Sequence, residues 1–321
     1  MRGDTVSDPD SRSVLSAAGV SRLYKNGRGV RDINLSLASG EIVGLMGPNG
    51  SGKTTLLRAL ATADLDYRGT ITWFGSTDPR DPNVRRRLGV VLDQLAHFEQ
   101  MTGFQNAWFF ARQFGLSEDT AHARIEELFR WAGLQDARDQ RVSSYSLGMK
   151  RKLTLVEALV HRPELLFLDE PTLALDYRSE LDLIERLELL RLTGVAVLLA
   201  TNDVHLAERV CDRVLFLNEG GIIREGRVAS LLTEVAGAKE VELRVHSPVS
   251  IENLKRLPAV EALSVEEDVL KIVLAKGANP AQVLAVLDGA SDLISTMKVS
   301  RPNLGDLFLK LTGVALPEPH S

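Results

Sequence analysis

Three groups of residues in this chain have types and spacing suited to chemistry on phosphate. The first is Gly47, Pro48, Asn49, Gly50, Ser51, Gly52, Lys53, Thr54 and Thr55, a glycine-rich turn that ends in lysine and hydroxyls. Glycines let successive backbone N–H groups point inward at phosphate oxygens, where a Cβ would obstruct them. Lys53 has the reach for β and γ phosphates, Thr54 can ligate Mg²⁺, and a helix starting near Thr54 offers its positive end to the anion. The second group is Asp169 and Glu170, which follow the apolar run Leu165 to Leu168. Asp169 is suited to Mg²⁺ through a water, because Mg²⁺ keeps several waters and few protein carboxylates. Glu170 is then free to act as a base toward an attacking water. The plainer alternative is two acids capping a turn. The third is Tyr24, upstream of the glycines, which is either a ring for an adenine to stack on or a surface tyrosine on an edge strand.

The elements that must position these groups follow from periodicity. Ile42 to Met46 is a short apolar run that reads as a buried strand feeding the glycine turn, and Thr55 to Leu60 continues as a helix. Val30 to Leu37 alternates as a half-exposed strand, Gly69 to Phe74 is a further strand, and Leu88 to Leu92 is a buried strand delivering Asp93 and Gln94. Arg85, Arg86 and Arg87 read as a solvated helix face or a membrane-proximal patch. Ile125, Leu128, Phe129 and Ala132 recur at helical spacing, while Phe104, Trp108, Phe109, Phe110 and Phe114 gather the scarce aromatics into either a local core or a docking surface. Leu165 to Leu168 and Val195 to Leu199 are buried strands separated by the helix Glu180 to Leu192, and Val214 to Glu225 is a hairpin. Alternating strands and helices predict a mostly parallel, helix-covered sheet. After about Leu232 the order becomes β-α-β-β-α-β, a ferredoxin-like arrangement.

Composition narrows the setting. With 321 residues and 44% hydrophobic content the chain can hold two domains, and a net charge of -5 argues against a nucleic-acid partner, which would need a basic face. A single cysteine, Cys211, permits no internal disulfide and fits a reducing compartment. No run is long enough to cross a bilayer and the start carries no signal-peptide core, so any membrane contact is expected to be indirect. The remaining histidines and Cys211 lack metal-ligand spacing and are read as surface or packing residues.

The stretch Ser143-Ser-Tyr-Ser146-Leu147-Gly148-Met149, placed shortly before Leu165-Leu-Phe-Leu-Asp-Glu-Pro-Thr172, resembles the signature of ATP-binding cassette (ABC) ATPases. The resemblance covers nearly all of residues 14 to 230. It implies an α/β P-loop NTPase domain with a helical subdomain, ATP and Mg²⁺ as cofactors, and a homodimer or heterodimer in which each ATP lies between two subunits. Carried over, Ser146 and Gly148 meet the γ-phosphate held by the opposite subunit, Tyr24 stacks on adenine, and Asp176 lies on the loop that communicates across the dimer. The metal set is then Thr54, Asp169 and the loop glutamine. Strict spacing puts Asp93 at the glutamine's place and Gln94 one residue later; Gln94 is favoured. Where the family has a switch histidine after Thr201 this chain has Asn202, which can donate a hydrogen bond but carries no positive charge, so slow or partner-dependent hydrolysis is expected. Leu147 stands where the commonest signature has glycine.

The domain expectation is a loose start (1–13), an ABC ATPase domain (14–232, helical subdomain about 95–150), an α+β accessory domain (238–313) and a tail (314–321). The end of the chain, Arg301 to Gly313, is similar to the extension of ABC-2 exporter ATPases of the daunorubicin-resistance and sodium-extrusion type. That implies a separate permease, with the aromatic segment after Gln94 in the region that receives it, and a location on the cytoplasmic face of the cell membrane. The competing readings are an ATP-dependent regulatory switch, an importer ATPase and a soluble non-transport ABC protein.

Overall fold

The alternating run Val30 to Leu37 becomes part of an antiparallel sheet, and the continuous apolar runs become a parallel one. In the computed structural model, which describes residues 13–93, 96–235, 239–245, 251–266, 268–286 and 294–317, β1 (Ser13–Leu23), β2 (Gly29–Ala38) and β4 (Arg68–Trp73) form a three-stranded antiparallel sheet in the order β2-β1-β4. The second sheet contains β3 (Ile42–Met46), β5 (Leu88–Val91), β6 (Leu165–Asp169), β7 (Ala196–Ala200), β8 (Arg213–Asn218) and β9 (Gly221–Arg227), in the order β5-β6-β7-β3-β8-β9. Every pairing in it is parallel except the β8–β9 hairpin. β3, β6 and β7 are buried at every residue, as a parallel sheet covered on both faces requires.

Helix α1 (Lys53–Leu60) lies between the two sheets, and its Leu56, Leu57 and Leu60 join Val20, Ile33, Leu45 and Trp73 in one core. On the other face of the large sheet pack α3 (Gly103–Gln113), α4 (Glu118–Ala132), α5 (Leu147–Leu159), α6 (Tyr177–Leu192), α7 (Val204–Val210) and α8 (Val228–Val235). The predicted stripe Ile125, Leu128, Phe129 and Ala132 is buried in this second core. The short helix α2 (Pro82–Arg85) leads into β5, and Arg87 just beyond it makes a two-pronged ion pair with Glu164 while covering the Phe74 ring at 3.5 Å. Arg87 is therefore held in place, which separates it from the solvated face expected of the arginine run. The aromatics divide as well. Phe104, Trp108 and Phe110 pack on the large core, whereas Phe98 and Phe109 meet edge to face at 5.0 Å and are exposed.

Beyond α8, β10 (Lys239–Val245), α9 (Ile251–Lys255), β11 (Val260–Glu266), β12 (Val269–Leu274), α10 (Ala281–Val286) and β13 (Ile294–Ser300) give a four-stranded antiparallel sheet in the order β11-β12-β10-β13, as the ferredoxin-like reading anticipates. Its core, with Val241, Leu243, Leu254, Leu270, Ile272 and Val283, is separate from the other two. The last helix, α11 (Leu304–Thr312), cuts across the 238–313 grouping made from sequence. Its Leu304, Leu307 and Phe308 belong to the large core, and Phe308 meets Phe216 of β8 edge to face at 5.5 Å. Burying a phenylalanine contributes about 2 kcal/mol or more, so this helix fastens the accessory sheet to the body. The main chain adds to it, since Glu208 of α7 accepts from Leu304 N at 2.8 Å. No helix among the described residues is long and apolar enough to cross a membrane.

Asp306 completes the N-terminal cap of α11, its Oδ2 accepting from Asn303 N at 2.8 Å, and its side chain is buried near Glu240, Glu208 and Lys271. Burial first, and then the Glu240 carboxylate, push its pKa up to about 7. An acid raised above its unfolded value of 3.8 binds more protons when folded. Its contribution is thus complete below the unfolded pKa and is lost as pH rises through about 7. The expected loss is on the order of a few kcal/mol. Asp306→Asn, whose amide oxygen still accepts from Asn303, should flatten the pH dependence of stability across that range. Urea midpoints compared at mildly acid and mildly alkaline pH check this, and parallel slopes for the two proteins would contradict it.

Candidate functional site: a phosphate cradle at the carboxyl edge of the sheet

Parallel strands deliver all their carboxyl ends to one edge, and adjacency decides which loops meet there. β7 lies between β3 and β6, with Ala200 level with both Leu45 and Asp169. Beyond it, Thr201 N donates to Leu45 O at 3.0 Å and Glu170 N donates to Ala200 O at 2.9 Å. The glycine turn after β3, the carboxylates at the end of β6 and Thr201, Asn202 and Asp203 after β7 therefore converge.

The turn is shaped by glycine at two points. A Cβ on Gly47 would lie 2.1 Å from Leu217 O, and Gly52 has φ +110° with Val30 Cγ1 at 2.6 Å from where its Cβ would be. Gly52 is also the N-cap of α1, with no side chain satisfying the first N–H groups of the helix, which leaves them available to an anion.

Lys53 is 7% exposed. Its Nζ donates to Gly47 O at 2.5 Å and to Asn202 Oδ1 at 2.9 Å, and it lies 4.0 Å from Glu170 Oε1. Burial pulls the ammonium pKa down, and the carboxylates of Glu170 and Asp169 oppose that. Asn202 Nδ2 donates in turn to Asn49 Oδ1 at 3.2 Å, so this one side chain ties the cradle lysine to the tip of the turn. Glu170 Oε2 accepts from the Thr201 hydroxyl at 3.2 Å and from Asn202 N at 3.3 Å. Burial raises the Glu170 pKa against the pull of Lys53. Glu170 also has φ +45°, a costly backbone conformation for a residue with a Cβ.

Asp169 is 1% exposed and its Oδ2 is buried without a partner. Burial raises its pKa, and the Thr54 hydroxyl beside it offsets part of the rise. A hydroxyl and an orphaned carboxylate oxygen form a hard oxygen pair that fits Mg²⁺. Among the described residues no group of three or more His, Cys, Asp or Glu is placed to hold a metal by itself. Phosphate oxygens and waters would have to complete the shell. When bound, such an ion would neutralise phosphate charge at Thr54 and Asp169.

A cleft of about 330 Å³ opens over these groups, lined by Tyr24, Asn49, Gly50, Gly52, Lys53, Thr54, Thr55, Asp169 and Glu170. Tyr24 is at its rim, 38% exposed, with the Arg22 guanidinium 4.5 Å from its ring centroid. Ser51, in the glycine turn but not lining the cleft, has a buried hydroxyl with no partner. Pro48 lies in the same turn, its carbonyl 3.5 Å from Lys53 Nζ. The other predicted residues are not part of this lining. Ser146 caps α5, accepting from Met149 N at 3.2 Å, Gly148 follows in its first turn, and Asp176 caps α6 by accepting from Ser179. Asp93 is half exposed and paired with Arg58 at 2.9 Å. Gln94 lies outside the described residues. His205 is exposed on α7, and Asn202 is the buried residue facing Lys53. The interest of Asn202 was legible from sequence; its bond to Lys53 was not, because it depends on β7 lying beside β3.

Sheet, cradle and carboxylate edge together define a P-loop nucleoside triphosphatase. A family model for ABC transporters matches residues 30–173. The chain is 36% identical to the Nod factor export ATP-binding protein I of Mesorhizobium japonicum, over 97% of this chain and 90% of that one. It is 30% identical to the linearmycin resistance ATP-binding protein LnrL of Bacillus subtilis, over 94% and 99%. Among solved structures, an ATP binding subunit of an ABC transporter superposes with a TM-score of 0.64 and 28% identity, covering 69% of this chain and 92% of that one. The chain belongs to the ABC transporter ATP-binding family, is of the exporter type and is an ATPase.

Gly52→Ala is the sharpest probe of the cradle. It forces a left-handed conformation on alanine and drives its Cβ into Val30. Nucleotide affinity, measured by fluorescent ATP titration, should fall on the order of 10- to 100-fold, with the overall fold retained by circular dichroism. Unchanged affinity would contradict this account of the turn.

Proposed function

We propose that this chain is the ATP-hydrolysing subunit of an ABC-2 type exporter, closing as a homodimer or heterodimer around ATP and driving a separate permease from the cytoplasmic face of the membrane. One observation carries the reading. Similarity to export and resistance ATP-binding proteins runs nearly end to end, through the region after residue 232 as well as the ATPase core. In this reading Lys53 and the backbone N–H groups that follow Pro48, from Asn49 to Thr55, hold the phosphates, and Thr54, Asp169 and Gln94 hold Mg²⁺. Glu170 receives the proton of the attacking water, and Tyr24 stacks on adenine. Ser146, Gly148 and Asp176, all outside the cleft of their own chain, complete the site of the opposing subunit. A groove of about 760 Å³ supports a partner on the helical side; Phe110 and Phe114 contribute to it, and Arg80, Arg85 and Arg86 lie along it.

A second reading, a slow ATP switch, rests on Asn202. The amide neutralises no developing charge, and its oxygen is already occupied by Lys53. Asn202→His should therefore raise ATP turnover, on the order of tenfold if a missing charge is what limits it; a variant no faster than the parent would remove that explanation. For the exporter reading, the decisive measurement is which membrane protein co-purifies and whether it stimulates turnover. A polytopic permease that accelerates hydrolysis is the expected result, and recovery of only soluble partners would overturn it.

A further inference from the structure

We propose that His97 is a positioning residue for ATP hydrolysis, clamping the segment that carries Gln94 to the helix that begins at the signature. Its side chain is 2% exposed, although the sequence offers it only as one of several unremarkable histidines. Nδ1 lies 3.1 Å from Glu157 Oε1, and Nε2 lies 3.1 Å from Lys150 O and 3.2 Å from the Thr154 hydroxyl. All three partners are on α5, at positions i, i+4 and i+7, one face of one helix.

The proton positions follow from the acceptors. A carbonyl oxygen can only accept, and Thr154 Oγ1 already donates to that same carbonyl at 3.0 Å, so Nε2 carries a hydrogen. A hydrogen bond between Nδ1 and the carboxyl of Glu157 requires one further proton between them. Imidazolium with carboxylate and imidazole with carboxylic acid make the same bond and the same net charge, so the clamp is neutral and fully bonded in either form. Burial pushes the Glu157 pKa up, and His97 opposes it.

Two further bonds place the clamp in a larger device. Lys150 Nζ pairs with Glu99 Oε1 at 2.6 Å, and Arg151 of α5 donates to Leu92 O at 3.1 Å. The chain is thus tied to α5 on both sides of residues 94–95, by Arg151 before them and by His97 and Glu99 after them. The same helix has Ser146 as its N-cap. Ala96, Thr154 and Glu157 also line the 760 Å³ groove, so a partner seated there would press on the clamp itself. The link to turnover rests on the role proposed for Gln94.

The test uses the full chain. His97→Leu fills the space and removes both hydrogen bonds; Glu157→Gln keeps them, since its amide can donate to Nδ1 while Nε2–H still bonds Lys150 O. Backbone hydrogen exchange across residues 92–99 should accelerate about tenfold or more in His97→Leu and stay within about twofold of the parent in Glu157→Gln. Turnover should fall on the order of tenfold in the former with the ATP KM nearly unchanged, and recover in the latter. Native exchange in His97→Leu overturns the proposal, as does equal loosening in both variants with a common drop in melting temperature. His97→Gln, which can keep one of the two bonds, gives an intermediate exchange rate and serves if the leucine variant does not fold. Gln94→Ala, assayed alongside, separates the two ideas: undiminished turnover there would end the loop's proposed role, and the exchange rates would still decide the clamp.

Discussion

A buried ammonium organises the site. Removing a lysine charge from water is costly unless its donors find acceptors, and Lys53 finds a carbonyl in its own turn, an amide oxygen from the neighbouring strand's loop and a carboxylate from the strand beyond. Three separate segments are therefore held in register by one charge. The arrangement also stores an unmet demand, because Asp169 Oδ2 and Ser51 Oγ are buried with nothing bonded to them. Asp169 lines the cleft, where a phosphate with its metal is a ligand able to meet its demand.

That charge can be shared only because of strand adjacency. β7 enters the chain long after β3 yet lies directly against it, and its last residues link β3 to β6 through main-chain bonds. Ladder pairing sets heights along the sheet to within a residue. The side chains of Asn202 and Glu170 therefore arrive beside Lys53 without a loop having to reach for it. The strained φ of Glu170 is the local cost of turning the chain at that level.

The end of the chain is integrated in a different way. Its four-stranded sheet has an apolar core of its own, and it is joined to the ATPase body by α11, which contributes side chains to the large core and packs against α7 and α8. Helix α7 starts one residue after Asp203, its N-cap, and so follows directly from the loop that holds Asn202. The accessory sheet is therefore connected by packed elements, as well as by chain, to the nucleotide edge.

Much of this was legible in the sequence because it is local. The glycine turn, the strand before it, the helix after it and the carboxylate pair are read from neighbours within about ten residues, and the β-α-β-β-α-β order from alternation. Period and composition likewise fixed which runs are buried on both faces. Tertiary structure decided what those residues touch: that Asn202 accepts from Lys53, that α11 packs on the ATPase body, that Arg87 is anchored to Glu164, and that His97 is bonded to the signature helix. Each is a contact between residues far apart in the chain, and side-chain type alone does not encode which distant partner the sheet order and helix packing will supply. Sequence determined a phosphate-binding ATPase, and only the folded arrangement determined how its buried charges are satisfied.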